Sequence, residues 1–283
     1  MRTWKEGRLT SLLVRDEQRI LASLERGEAE STDLGPVYAL HLAVRRVQAA
    51  TKAAFAPGQA LGCSCSAPSC IPLSFDDLGV DPSLLFETAT RISEVLSGSA
   101  SGLTEGGEGL SADGCLSEGR AWYDSRLPPA GRAAASPESV VTAHALVPWL
   151  EAAGWGSSPP GGTEWRRPTC PICGGYPDLA LLTPENGERR LVCGRCSTDW
   201  GYRRLGCPFC KGGERETDVH HEGFAAGDRL YVCSLCRAYL KTLDLRQRGA
   251  PVVAQYERVR LLPLDVAAGR EGYRPGFAVV LGI

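Results

Sequence analysis

The sequence predicts an α+β protein, helices first and short β-hairpins after, and three observations carry that reading. Apolar residues recur at three- and four-residue spacing through the first half of the chain. In the second half the pattern changes to short apolar runs separated by turn residues. Between residues 170 and 236, eight of the chain's 12 cysteines fall into four Cys-x-x-Cys pairs. With 283 residues, 43% of them hydrophobic, the chain is long enough to bury a core in more than one unit.

Leu9, Leu12, Leu13, Ile20, Leu21 and Leu24 mark a first helix, and Pro36 followed by Val37, Leu40, Val44 and Val47 opens a second at a position where proline is tolerated. Asp81-Pro82 and Ser136-Pro137 repeat that start signal ahead of Leu84, Leu85, Ile92 and Val95, and ahead of Val140, Val141, Leu146 and Leu150. Pro148 is expected to kink or end the last helix. Between helices, SGSASGLTEGGEG (97–109) reads as a surface loop, and GWGSSPPGGTEWRRP (154–168) as a linker. Residues 1–160 are thus expected to form a helical N-terminal domain of four or five helices.

The cysteine region is an internal duplication. Cys170-Pro171-Ile172-Cys173 matches Cys207-Pro208-Phe209-Cys210, and Leu191-Val192-Cys193-Gly194-Arg195-Cys196 matches Tyr231-Val232-Cys233-Ser234-Leu235-Cys236. The first pairs are offset by 37 residues and the second by 40, which also sets Trp200 against Leu240. Each unit holds two cysteine knuckles around a hairpin signal, such as the Glu-Asn-Gly-Glu turn in LALLTPENGERRLVC. That is the layout of a zinc ribbon or a rubredoxin-like site. A tetrahedral metal at about 2.3 Å from each sulfur needs four thiolates converging from two tight turns, and the hairpin returns the second turn beside the first.

Each unit carries a complete ligand set, so the sequence predicts two sites, one of Cys170, Cys173, Cys193 and Cys196 and one of Cys207, Cys210, Cys233 and Cys236. Gly174 and Gly212-Gly213 are expected to supply the permissive backbone after the knuckles. Four thiolates suit zinc and iron equally, so the sites are either structural staples or redox centres. The expected boundaries are 161–204 for the first ribbon, 205–250 for the second and 251–283 for a C-terminal segment.

Charge and hydropathy exclude several classes of function. The formal charge is −2, far from the strong positive balance of a chain that wraps nucleic acid. Residues 163–248 carry 14 Lys+Arg against 11 Asp+Glu, an excess that two divalent metals on eight thiolates would reverse. Nucleic acid is therefore disfavoured as a partner. No stretch reaches the roughly 20 apolar residues of a spanning helix, so membrane insertion is not expected. The opening MRTWKEGRLT puts charges where a secretory signal needs its apolar core, and a cytoplasmic protein is expected. In a reducing compartment paired cysteines read as metal ligands or reactive thiols rather than disulfides.

Other candidates carry less. Cys63, Cys65 and Cys70 lie in GCSCSAPSC and, with Cys115, lack a second knuckle, so they read as free thiols in a loop rather than a third site. His220-His221 read as a solvated hairpin tip, and His41 and His144 as packed or surface helix residues. Arg189-Arg190 and Arg203-Arg204 are either a solvated face or a docking surface for an acidic partner. No phosphate-binding glycine loop, nucleophile elbow or His-Glu-x-x-His motif is present.

The run CPICGGYPDLALL, LVCGRCSTDWGYRRLGCPFCKG and YVCSLCRAYLKTLD, followed by RLLPLDVAAGREGYRPG, resembles the formate dehydrogenase accessory protein FdhE family over residues 165–275. The resemblance implies a non-enzymatic, cytoplasmic maturation factor, a chaperone-like protein that binds the catalytic subunit of a molybdenum- or tungsten-dependent formate dehydrogenase. It also implies iron at two rubredoxin-like sites formed by the eight cysteines above. A rubredoxin-like iron electron-transfer protein is the first alternative, and a nucleic-acid-binding zinc-ribbon protein the second.

Overall fold

The computed structural model of the chain describes residues 12–55, 72–99, 111–125, 136–156, 165–220 and 225–276. Among them, five α-helices come first: α1 (Glu17–Glu30), α2 (Gly35–Ala53), α3 (Pro82–Ser99), α4 (Ala112–Asp124) and α5 (Pro137–Gly156). Their starts follow the expected chemistry. The Asp16 side chain accepts from Arg19 N, Asp81 from Leu84 N at 2.8 Å, and Ser136 from Ser139 N at 3.1 Å, each satisfying an amide that the first helical turn leaves unpaired.

Helix α5 is the centre of this half. It buries Val141, Ala145, Leu146, Trp149, Leu150 and Ala153, so its apolar residues run round the whole circumference, as a central helix requires. Pro148 does not end the helix. It is itself buried, and the packing around it outweighs the one backbone hydrogen bond it cannot donate. Residues 97–99, expected in a loop, complete α3, and the rest of that loop lies outside the described residues. Leu12 and Leu13, expected in the first helix, are extended instead, because Leu13 bridges to Val252. Leu9 lies outside the described residues.

The second half is one mixed sheet. Its strands are β1 (Pro177–Leu182), β2 (Arg189–Cys193), β3 (Asp199–Gly201), β4 (Thr217–His220), β5 (Asp228–Cys233), β6 (Ala238–Asp244) and β7 (Arg274–Pro275). The order is β3-β2-β1-β6-β5-β4, with β7 added beside β6. The duplication is visible in register: Leu191 faces Trp200 across β2 and β3, and Tyr231 faces Leu240 across β5 and β6. The two ribbons are fused by a parallel pairing of β1 with β6, Leu179 opposite Lys241 through Leu182 opposite Asp244.

Three short helices follow, α6 (Leu245–Arg248), α7 (Ala254–Arg260) and α8 (Leu262–Arg270). Leu261, Leu264 and Ala268 pack on Leu179, Leu181, Val232 and Leu243 of the sheet. Arg248 and Arg260 both reach the buried Asp228 at 2.7 Å, tying the last helices to β5. The other face of the sheet, with Ala180, Leu191 and Trp200, joins the same core as α3, α4 and α5.

Candidate metal centres

Three of the four knuckles are tight turns closed by the amide after their second cysteine: Gly174 N donates to Cys170 O at 3.0 Å, Ser197 N to Cys193 O at 3.1 Å, and Arg237 N to Cys233 O at 2.9 Å, while in the fourth Cys207 N donates to Gly212 O at 3.0 Å. The residue after the second cysteine of every knuckle has a left-handed backbone: Gly174 (φ 68°), Ser197 (φ 54°), Lys211 (φ 63°) and Arg237 (φ 58°). Only the first of these is glycine. Gly212, expected to play this part in the second ribbon, instead sends its N–H to the Cys210 sulfur at 3.4 Å.

These turns bring the eight cysteines into two clusters, Cys170, Cys173, Cys193 and Cys196, and Cys207, Cys210, Cys233 and Cys236, each with its sulfurs within 4.8 Å of one another. A tetrahedron with 2.3 Å metal–sulfur bonds has edges of about 3.8 Å. In the first cluster Cys173 Sγ lies 3.4 Å from Cys193 Sγ and 3.6 Å from Cys196 Sγ. In the second, the Cys207–Cys236 and Cys210–Cys233 separations are both 3.7 Å. The donor set and the spacing both fit a tetrahedral ion, and backbone N–H groups of Ile172, Arg195, Phe209 and Gly212 point at the sulfurs, which favours thiolate. Burial pushes the Cys170 thiol well above its ordinary range, so without a metal Cys170 holds its proton and metal uptake must release it.

The first centre sits where the halves meet. Arg195 donates to the carbonyls of Tyr123 and Trp122 at 2.9 and 3.1 Å, and Arg258 of α7 donates to Cys193 O and to Asp178. Beside it a cavity of about 110 Å³ is lined by His41, Arg45, His144, Glu151, Asp178 and Arg258, among others. Glu151, 1% exposed, accepts from Arg45 and Lys52 at 2.8 and 2.6 Å. Both histidines are held neutral by burial, His41 down to about 4 and His144 to about 3. Sequence reasoning missed this charged cluster, in which the Lys52–Glu151 pair alone joins residues 99 apart and leaves no local signal.

Of the other candidates, Cys115 is a fully buried core residue of α4 rather than a loop thiol, while Cys63, Cys65 and Cys70 lie outside the described residues. His220 ends β4, with its ring edge-on to Tyr273, and His221 lies outside the described residues. Arg189 is 1% exposed and sits over the rings of Tyr202 and Tyr231, and Arg190 pairs with Asp199, so neither offers a docking surface. Arg203 and Arg204 are exposed and donate to the carbonyls of Gly212 and Gly187. Among the described residues no helix is long and apolar enough to cross a membrane.

No protein-family model matches the chain. Residues of the chain are 33% identical over 109 positions to an FdhE homolog from Stutzerimonas stutzeri, covering 37% of this chain and 35% of that protein. An FdhE homolog from Aquifex aeolicus is 31% identical over 117 positions, covering 39% and 40% respectively. The matched stretch is therefore well under half the length of these curated relatives. In fold, the chain resembles the crystal structure of the FdhE protein from Pseudomonas aeruginosa with a TM-score of 0.62 at 20% identity, over 94% of this chain and 95% of that one. By sequence along little more than a third of its length the chain is similar to FdhE homologs, and along nearly all of it its fold is that of the FdhE crystal structure.

Proposed function

We propose that the chain is a cytoplasmic accessory factor for formate dehydrogenase, without turnover of its own, that binds the enzyme's catalytic subunit during maturation. The observation that carries this reading is the two closed four-cysteine clusters within a chain matched to FdhE homologs. Four thiolates complete a tetrahedral ion and leave no position for a substrate. Cys170, Cys173, Cys193 and Cys196 would hold one ion and Cys207, Cys210, Cys233 and Cys236 the other. A bound ion would clasp each hairpin, and iron would add a one-electron couple.

The chain's own residues offer the client a basic face. An open groove of about 480 Å³ is lined, among the described residues, by Arg166, Arg167, Pro168, Tyr202, Arg203 and Lys211, four of them cationic. Arg167 and Arg203 lie over the rings of Trp165 and Tyr202, which covers the aromatic faces a nucleobase would stack on. An acidic protein surface suits such a groove better than nucleic acid.

A pull-down from native cytosol tests the reading: the tagged protein should retain formate dehydrogenase catalytic subunit, and Arg203→Glu should weaken retention. Recovery of DNA or RNA in its place would favour the zinc-ribbon alternative. A rubredoxin-like electron carrier is the second reading, favoured by the exposure of Cys210. Reversible bleaching of an iron-thiolate absorption band by a mild reductant would support it.

A further inference from the structure

The two clusters share a ligand set but not an environment. In the first, Cys170, Cys173, Cys193 and Cys196 are at most 1% exposed. Their cover comes from both halves of the molecule. Leu73 N donates to Ile172 O at 2.8 Å, and Arg195 is plugged into the end of α4. Gly154 of α5 lies so close that an added Cβ would sit 3.1 Å from the Cys196 carbonyl. Uncovering any of these sulfurs means separating the helices from the sheet.

The second cluster has one closed side only. Cys207 and Cys233 are buried, at 3% and 2%, but Cys210 is exposed and Cys236 half-buried. Among the described residues this open side is touched by Gly212 N on the Cys210 sulfur and by Arg274 of β7 on the Cys236 carbonyl. Leu235, between the two ligands of the last knuckle, is 66% exposed.

We infer that the second centre is the exchangeable one: a competing chelator or thiol enters at Cys210 and removes its metal, while the first centre keeps its own. Exchange at a four-coordinate ion begins when an outside donor approaches the metal and one ligand lets go, so access to a single metal–sulfur bond controls the rate. At Cys210 that access is present in the folded state. At the first centre it requires a sub-global opening, whose free-energy cost multiplies the exchange time.

The inference rests on the reading that both clusters bind metal, and the experiment separates the two. Full-length protein loaded with zinc is first analysed for metal content. Fewer than two zinc ions per chain would sink that reading and the inference with it. The loaded protein is then mixed with 4-(2-pyridylazo)resorcinol, with iodoacetamide present to trap freed thiols. One zinc should leave at least about tenfold faster than the other, corresponding to some 1.4 kcal/mol of opening cost. Peptide mapping in the fast phase should find alkylation at Cys210 and Cys236 ahead of any at residues 170–196. Cys207→Ser should delete the fast equivalent and Cys170→Ser the slow one. Should a variant fail to fold, the mapping on unmodified protein still decides. Two zinc ions leaving at one rate, or first labelling at the first centre, would overturn the inference and leave the two-metal reading standing.

Discussion

The guanidinium of Arg195 lies 4.3 Å from the ring centroid of Trp122, although the two residues belong to different halves of the molecule. Arg195 stands between Cys193 and Cys196 in the first ribbon, and Trp122 stands in the last turn of α4. The carbonyls of Trp122 and Tyr123 lie in the last turn of α4, where Trp122 O also accepts from Ser125 Oγ at 2.6 Å, and a cation there meets the negative end of the helix dipole. One side chain therefore caps the helix, fills the interface and sits inside a cysteine knuckle.

Replacing Arg195 by Met keeps much of the volume and removes both charge-assisted hydrogen bonds. The expected loss is about 3 kcal/mol, at roughly 1.5 kcal/mol per bond, with the binding of two metals retained. Urea titration with parallel metal analysis checks both parts. Arg195→Lys should recover little, because one ammonium cannot reproduce the planar fork over the Trp122 ring.

Glu151 is the common acceptor for Arg45 and Lys52 and receives a further bond from Gln255 Nε2 at 3.0 Å. Glu151→Gln would leave the buried Arg45 and the largely buried Lys52 with only Glu17 to balance them. A destabilisation of about 3 kcal/mol is expected from a broken buried pair, measured by urea denaturation. A change below about 1 kcal/mol would mean that Glu17 suffices.

His144 supplies a pH dependence with a definite sign. Burial, with the neighbouring His41 adding to it, lowers the imidazole from 6.5 to about 3, and its Nε2 has no hydrogen-bond partner. His41 in turn is depressed by burial and by Arg258 and Lys241. The folded state therefore resists a proton that the unfolded chain accepts below pH 6.5, so stability falls as pH drops from 6.5 towards 5. Each histidine contributes a slope of up to about 1.4 kcal/mol per pH unit. His144→Gln should flatten the fall by one histidine's share, and an unchanged slope would refute the assignment.

The left-handed residues after the knuckles give a pair of opposite expectations. Gly174→Ala should destabilise the first ribbon by about 1 kcal/mol, since φ 68° is disfavoured once a Cβ is present. Lys211→Gly should stabilise the second ribbon by up to about 1 kcal/mol by relieving the same cost at φ 63°. Thermal melts of the metal-loaded proteins compare the two.

The two four-cysteine clusters were legible in the sequence because the knuckle spacing is short and local, and duplication repeated it with the same strand register. The helix starts at Asp81-Pro82 and Ser136-Pro137 were legible for the same reason, being settled within four residues. The fusion of the ribbons was not, since the pairing of Leu179 with Lys241 joins segments that each look complete alone. Nor was the contrast between the centres. Cys173 and Cys210 occupy equivalent places in the repeat, and only the packing of the helices against one ribbon makes the first buried and the second exposed.

The bridge between Leu13 and Val252 also orders events in time. Val14 N donates to Val252 O, and Val252 N to Leu12 O, both at 2.9 Å. On a ribosome adding roughly 5–20 residues per second, some 10–50 s separate the synthesis of these partners. Through that interval the backbone at 12–14 cannot make its bonds to Val252, although α1 and α2 can already pack. The first ribbon's cysteines emerge well before the stretch at 12–14 acquires its partner. This clasp between the two ends of the described chain is thus a late event, formed only after both ribbons and the strands of the β1–β6 joint have been synthesised.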